Sequence, residues 1–251
     1  MDHRTQHQDV ELLQKIHQDI ARDGFCYLDF FHTIEDYERL ALRLGTVELR
    51  TDVRIDKEGY KLLSQSRVQG CQLGNRPSAL LPEGLQLHTD RPTVDILGFY
   101  CQAQDTVDGT MFLVDTTGIG DWFSESELGQ LENIKINYSV RDRVTQTEEI
   151  RRQPVVSKRN DSYHVYYAPW FFPESPPEIN RLLSKLTEFV ANRETNAKIP
   201  INFMAGHSVF LDNHRMLHGR GPISPESKRH LVRLYLVTKN PQEQQESRVI
   251  K

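Results

Sequence analysis

From residue 85 to residue 237 the chain returns again and again to short apolar runs of β character. That recurrence restricts it to a closed or sandwiched antiparallel β fold. The runs are LQLHTD (85–90), DILGFYCQA (95–103), MFLV (111–114), IKINYSV (134–140), YHVYYA (163–168), PINFM (200–204), SVFLD (208–212) and HLVRLYLV (230–237). Two helices interrupt them. Ser124 and Glu127 frame a capping box ahead of Leu128 and Leu131. Ser175, Pro176 and Glu178 open the other helix, whose Ile179, Leu182, Leu183, Leu186 and Val190 line one face. The N-terminal part reads helix, strand, helix, strand. Leu13, Ile16 and Ile20 recur at helical spacing up to Asp23-Gly24, and FCYLDF (25–30) follows. Thr33 with Asp36 then caps a helix carrying Ile34, Tyr37, Leu40, Ala41 and Leu44, which Gly45 ends before a strand over 46–51.

Between residues 52 and 84 the pattern weakens. Gly59, Gly70, Gly74, Pro77, Pro82 and Gly84 predict mostly loop with short strands, a candidate substrate cover in which Gln72 and Asn75 are polar candidates. The polar stretch 241–251 is expected to fray. Without internal repeats, residues 1–251 are expected to form one domain built on one large core. A net charge of −4, with both signs interleaved, gives no electrostatic case for nucleic acid or an anionic membrane. No stretch approaches a bilayer-spanning run, and MDHRTQHQDV lacks the apolar core of a signal peptide. Cys26, Cys71 and Cys101 are odd in number and widely spaced, which fits neither a disulfide framework nor a CxxC site and points to the reducing cytoplasm. The expected partner is a small molecule. A homo-oligomer is left open.

The chemistry concentrates in two places. In a strand, residues two apart project from the same face, so His88 and Asp90 of His88-Thr89-Asp90 present an imidazole and a carboxylate side by side. An HxD alone is common. Far downstream, SVFLDNHRMLHGRGP (208–222) adds His218 after an apolar strand and a polar turn. Two histidines and one carboxylate, with the remaining positions open, form the facial triad of non-haem iron(II) oxygenases. Lys228, Arg229 and Arg233 then follow on or beside the strand HLVRLYLV. An arginine reaching into a barrel needs an anionic partner, and a dicarboxylate held by its far end supplies one through a bidentate contact.

Together these motifs resemble the TauD/TfdA-like branch of the iron(II)/2-oxoglutarate oxygenases, which includes taurine dioxygenase and clavaminate synthase. The similarity runs through nearly the whole chain. Asp23-Gly24-Phe25 and Leu44-Gly45 look like the family's opening, LQLHTDRP like its HxD strand, and Asp212 to Arg220 like its distal-histidine signature. The resemblance implies a mainly β fold with flanking helices, the double-stranded β-helix or jelly roll. It implies Fe(II) held by His88, Asp90 and His218, with 2-oxoglutarate and O2 as co-substrates and Arg229 on the C5 carboxylate. DGTMFLVD (108–115) looks like a family strand whose threonine assists that arginine. Here the register puts Met111 at the threonine position, with Thr110 one residue earlier as the weaker candidate. Arg233 sits where relatives often bind a substrate anion, and Arg91 directly follows the HxD. Both hint at a small carboxylate-bearing metabolite such as an amino acid. Family halogenases lack the carboxylate, so Asp90 favours hydroxylation or a related oxidation. Tyr166, Tyr167, Trp170, Phe171 and Phe172 are candidates for a pocket wall or for ordinary core.

Two other readings compete. His214 and His218 have the HxxxH spacing of a zinc-dependent hydrolase, but Arg215 stands where the catalytic glutamate belongs. His214 is therefore expected in a turn or at a rim. A non-catalytic jelly-roll binding protein gives no reason for three ligands and an arginine to coexist.

Overall fold

The computed structural model describes residues 3–30, 32–56, 59–65, 84–105, 109–141, 148–159, 162–224 and 227–238. Helix α1 (His3–Asp23) ends where the backbone turns left-handed at Gly24 (φ 82°), whose N–H donates to the Ile20 carbonyl. The turn feeds β1 (Phe25–Leu28). Thr33 caps α2 (Ile34–Leu44) by the reciprocal pair its sequence predicts: Asp36 N–H donates to the Thr33 hydroxyl and Thr33 N–H to the Asp36 carboxylate. At Gly45, which ends α2, a Cβ would lie 2.7 Å from the Val237 carbonyl, so glycine is needed for this close approach. Next come β2 (Thr46–Asp56), β3 (Gly59–Gln65), β4 (Leu85–His88), β5 (Ile96–Ala103) and β6 (Met111–Asp115). Helices α3 (Ile119–Trp122) and α4 (Glu125–Asn133) precede β7 (Lys135–Arg141), β8 (Glu148–Pro154), β9 (Val156–Arg159) and β10 (Ser162–Val165). A 3-10 turn (Pro169–Phe171) leads to α5 (Pro177–Ala197), then β11 (Ile199–Ile201), β12 (Ser208–Asp212), β13 (Met216–Arg220) and β14 (His230–Val237). The Ser124–Glu127 capping box forms as its spacing predicts.

Two antiparallel sheets face each other, one in the order β1-β12-β5-β14-β2-β3 and one in the order β11-β6-β13-β4. Strand β14 explains the layering through strict alternation. Its Val232, Leu234 and Leu236 pack toward Tyr37, Leu40 and Leu44 of α2 and Ile16 of α1. Its Leu231 and Tyr235 join Phe99 of β5 and Leu113 of β6 in the core between the sheets. The outer face of the smaller sheet, with Leu87, Val114 and Leu217, is covered by Leu131 of α4 and Leu182 and Leu186 of α5. This is the double-stranded β-helix with flanking helices. No helix among the described residues is long and apolar enough to cross a membrane.

The structure extends the strand at the start of the 52–84 region. The strand expected over 46–51 is longer than its pattern suggested: β2 runs on to Asp56 and pairs with both β14 and β3, the latter one of the short strands expected in this region. Val47, Leu49, Val53 and Ile55 alternate with polar residues, a period-two signal that the later glycines and prolines obscured. Residues 66–83, with Gln72 and Asn75, and the tail 241–251 lie outside the described residues.

Candidate metal centre

Strands β4 and β13 are neighbours, and His88 and His218 are direct partners across them. Their rings lie 4.3 Å apart between centroids. Alternation sends Thr89 to the opposite side, where its N–H donates to the Tyr167 carbonyl (2.9 Å) and its hydroxyl accepts from the Tyr167 N–H (3.0 Å). Asp90 then returns to the site, its Oδ2 3.5 Å from His218 Nε2. The ligand atoms of His88, Asp90 and His218 lie within 4.8 Å of one another, and among the described residues no other group of histidine, cysteine and acidic side chains converges in this way.

The nitrogens are prepared for a cation. His88 Nδ1 lies 2.8 Å from the Gln86 carbonyl, which only accepts, so that nitrogen carries the proton and Nε2 keeps its lone pair. Burial, followed by the neighbouring His218, pushes the His88 imidazole down to about 3, against the pull of Asp90, so it is neutral at neutral pH. Among the described residues neither buried ring nitrogen of His218 has a hydrogen-bond partner, the Asp90 carboxylate standing 3.5 Å from Nε2. Such groups are costly unless something binds them. Burial works to raise the Asp90 carboxyl, but Arg233 and then the imidazoles outweigh it and hold the group well below the usual carboxylate range. The neutral His88 imidazole, the anionic Asp90 carboxylate and the His218 imidazole fit a divalent cation, with the donor set preferred by iron(II).

The arginines fall in different places. Arg233 Nη1 donates to Asp90 Oδ2 at 2.8 Å, and the guanidinium lies 4.7 Å from the centre of the Tyr235 ring. Arg229 is buried just before β14. Its Nε donates to Gln104 Oε1 (3.0 Å) and its backbone N–H to Ser227 Oγ (3.1 Å). Its stem passes Gly109 (φ 91°), where a Cβ would sit 3.3 Å from Arg229 Cδ and 2.6 Å from Ile223 Cγ2. Thr110 precedes β6, and its carbonyl accepts from Gly221 N–H, whereas Met111 joins the core between the sheets. Arg91 lies 3.8 Å from Glu48. Of the aromatic stretch, Trp170 approaches the centre, its ring 5.3 Å from His88 and its buried indole nitrogen without a partner among the described residues. Tyr166 and Tyr167 belong to the core beneath the smaller sheet. His214 lies in the β12–β13 turn, stacked on His164 and 3.0 Å from Asp95, away from any helix.

Gln104 and Asn213 were not singled out by sequence reasoning, because each acts through contacts with distant residues. Asn213 carried a signal only as part of the distal-histidine motif.

Gly219 makes the centre sensitive to a single methyl group. A Cβ there would lie 2.8 Å from the Leu85 carbonyl oxygen and 3.2 Å from the Leu87 nitrogen, wedging β13 away from β4. Gly219→Ala is expected to cost about 1–3 kcal/mol in urea unfolding and to weaken iron binding by separating His88 from His218. Unchanged stability and iron affinity would show that the strand pair tolerates the wedge.

The chain matches the family model described as "Taurine catabolism dioxygenase TauD, TfdA family" over residues 3–235. No curated protein matches it. Among solved structures it is similar to AAD-2 in complex with Mn(II) and N-oxalylglycine (TM-score 0.68, 16% identity, 92% of this chain and 89% of that one). It is also similar to asparagine oxygenase in complex with Fe(II), 2S,3S-3-hydroxyasparagine and succinate (TM-score 0.63, 15% identity, 96% and 81%). A taurine dioxygenase from Burkholderia xenovorans matches with TM-score 0.63 and 14% identity over 92% and 84%. At these identities the structural likeness establishes the fold.

Proposed function

From the premise that this chain belongs to the TauD, TfdA family of dioxygenases, we propose that His88, Asp90 and His218 hold its iron, that Arg229 holds the C5 carboxylate of 2-oxoglutarate, and that its substrate is an amino acid or a related small carboxylate. The enzyme class is iron(II)/2-oxoglutarate-dependent dioxygenase. One observation carries the metal assignment: three ligand atoms from two distant segments converge, and one imidazole among them has both nitrogens buried and unpartnered. When bound, iron with 2-oxoglutarate supplies the oxidising chemistry, coupling O2 reduction and decarboxylation to succinate and CO2 with oxidation of a substrate C–H bond.

The chain's own residues bind and orient. The Gln86 carbonyl fixes the His88 ring with its lone pair inward. Gln104 engages Arg229 at Nε and seats the guanidinium that is assigned to the co-substrate carboxylate. Thr110, next to the glycine that Arg229 passes, is kept as its hydroxyl partner for the co-substrate. Trp170 and Phe99 flank the two imidazoles and keep water from the centre.

Asparagine oxygenase and OrfP, whose structures hold 3-hydroxyasparagine and (3S)-hydroxy-L-Arg, support an amino-acid-like substrate here. Arg233 is the candidate for its anion, since a guanidinium has N–H groups enough to serve Asp90 and a second carboxylate together. Arg91 would have to leave Glu48 to contribute. The same reading takes residues 1–251 as one oxygenase domain working in the cytoplasm.

Anaerobic titration of the Fe(II)-loaded protein with 2-oxoglutarate is expected to produce a weak visible charge-transfer band, and turnover with an amino-acid panel to yield succinate. Folded protein that binds Fe(II) without such a band would overturn the co-substrate assignment.

A further inference from the structure

Asp90 lies two residues beyond the end of β4, on a turn with no sheet partner of its own, yet a metal ligand must keep its place before the metal arrives. What holds it is a side chain from the other half of the site. Asn213 Oδ1 accepts from the Asp90 N–H at 3.0 Å. Asn213 Nδ2 donates to the Arg91 carbonyl (2.9 Å) and the Val94 carbonyl (3.0 Å), and its backbone N–H donates to the Asp95 carbonyl (3.0 Å). The residue is 1% exposed. One amide therefore satisfies three backbone groups of the 90–94 segment, and its own main-chain N–H reaches the Asp95 carbonyl just beyond it. Asn213 also sits on the short turn that leads into β13, which carries His218. The same side chain thus links the segment bearing the carboxylate ligand to the segment bearing the distal histidine.

We propose that Asn213 is the positioning residue of the metal centre. It presets the spacing between Asp90 and His218, and it holds the Asp90 backbone still while Arg233 pulls on the carboxylate. The inference rests on the ligand assignment proposed above. It assigns Asn213 no contact with iron, co-substrate or substrate. Partners that orient metal ligands are worth about 10- to 100-fold in metal affinity.

The test compares Asn213→Ala with Thr116→Val. Thr116 anchors the same turn from its other side, its hydroxyl donating to the Arg215 carbonyl at 2.8 Å, and has no hydrogen bond to the 90–94 turn. Anaerobic Fe(II) titration of the chelator-treated proteins is expected to show affinity about 10- to 100-fold weaker for Asn213→Ala and within threefold of wild type for Thr116→Val. At saturating iron, KM for 2-oxoglutarate should change less than threefold in either variant. Equal losses of iron affinity in both variants would mean that turn integrity alone matters and would sink the proposal, as would unchanged affinity in Asn213→Ala. Wild-type protein that binds no iron would instead refute the ligand assignment. If Asn213→Ala fails to fold, hydrogen exchange on the metal-free wild type decides. The Asp90 amide should be protected before iron is added, and exchange at the rate of an open surface amide would overturn the preset position.

Discussion

His218→Leu is expected to abolish iron binding yet leave the metal-free fold as stable as the parent, or more stable by about 1–3 kcal/mol. Asp90→Ala should abolish iron binding as well, but destabilise the metal-free fold by about 3–5 kcal/mol. The contrast follows from what each side chain does without metal. His218 brings two buried, unpartnered nitrogens into the space between the sheets, and leucine removes that cost while still packing near Phe99. Asp90 accepts from the half-buried guanidinium of Arg233 at 2.8 Å, and its loss takes a carboxylate away from that cation. Asp90→Ala combined with Arg233→Met should therefore regain most of the lost stability and none of the iron. Urea unfolding in chelator and anaerobic Fe(II) titration measure the two quantities separately. If His218→Leu is as damaged as Asp90→Ala, the histidine is an ordinary part of the core and the centre was not built at the expense of folding. If it still binds iron, the ligand set is wrong.

The residues that converge on the metal site were among the easiest to read. His88-Thr89-Asp90 is legible because a strand has a period of two, and the structure keeps that period, with Thr89 turned outward to Tyr167. The capping boxes at Thr33 and Ser124 and the whole of β14 are equally local signals, fixed by residues within a few positions of one another. The failures have local causes too. In β8 the sequence EEIRRQP has one aliphatic side chain, Ile150, which is 72% exposed, so a strand paired with β7 leaves no hydrophobic period to detect. The strand β13 was visible as the segment carrying His218, but its pairing with β4 was not. At Gly219, within that pairing, β13 approaches the β4 backbone closely, which no local period announces. The role of Asn213 leaves no sequence period, since its hydrogen bond to Asp90 joins residues 123 positions apart. A side chain that bonds to distant main chain is recognised only when the two segments are seen together.

Arg229→Gln is expected to raise KM for 2-oxoglutarate by about 30-fold to several thousand-fold, because removing one partner of a buried charge-assisted pair costs about 2–5 kcal/mol. Fe(II) affinity should stay within threefold, since the hydrogen bonds that seat Arg229 run to Gln104 and Ser227. Arg229→Lys keeps the charge but not the planar fork whose Nε is seated on Gln104, so it should fall between glutamine and wild type. Arg233→Gln supplies the contrasting case. It leaves Asp90 without its cation, so it should weaken the metal-free fold and raise KM for the amino-acid substrate, while KM for 2-oxoglutarate changes little. Steady-state kinetics with each co-substrate varied at saturating iron separates the two arginines. If the effects are exchanged, with Arg233 controlling 2-oxoglutarate and Arg229 the substrate, the two anions occupy opposite ends of the site from those assigned here. Losses in both constants for both variants would mean that the guanidinium groups hold the sheets together rather than sort the ligands.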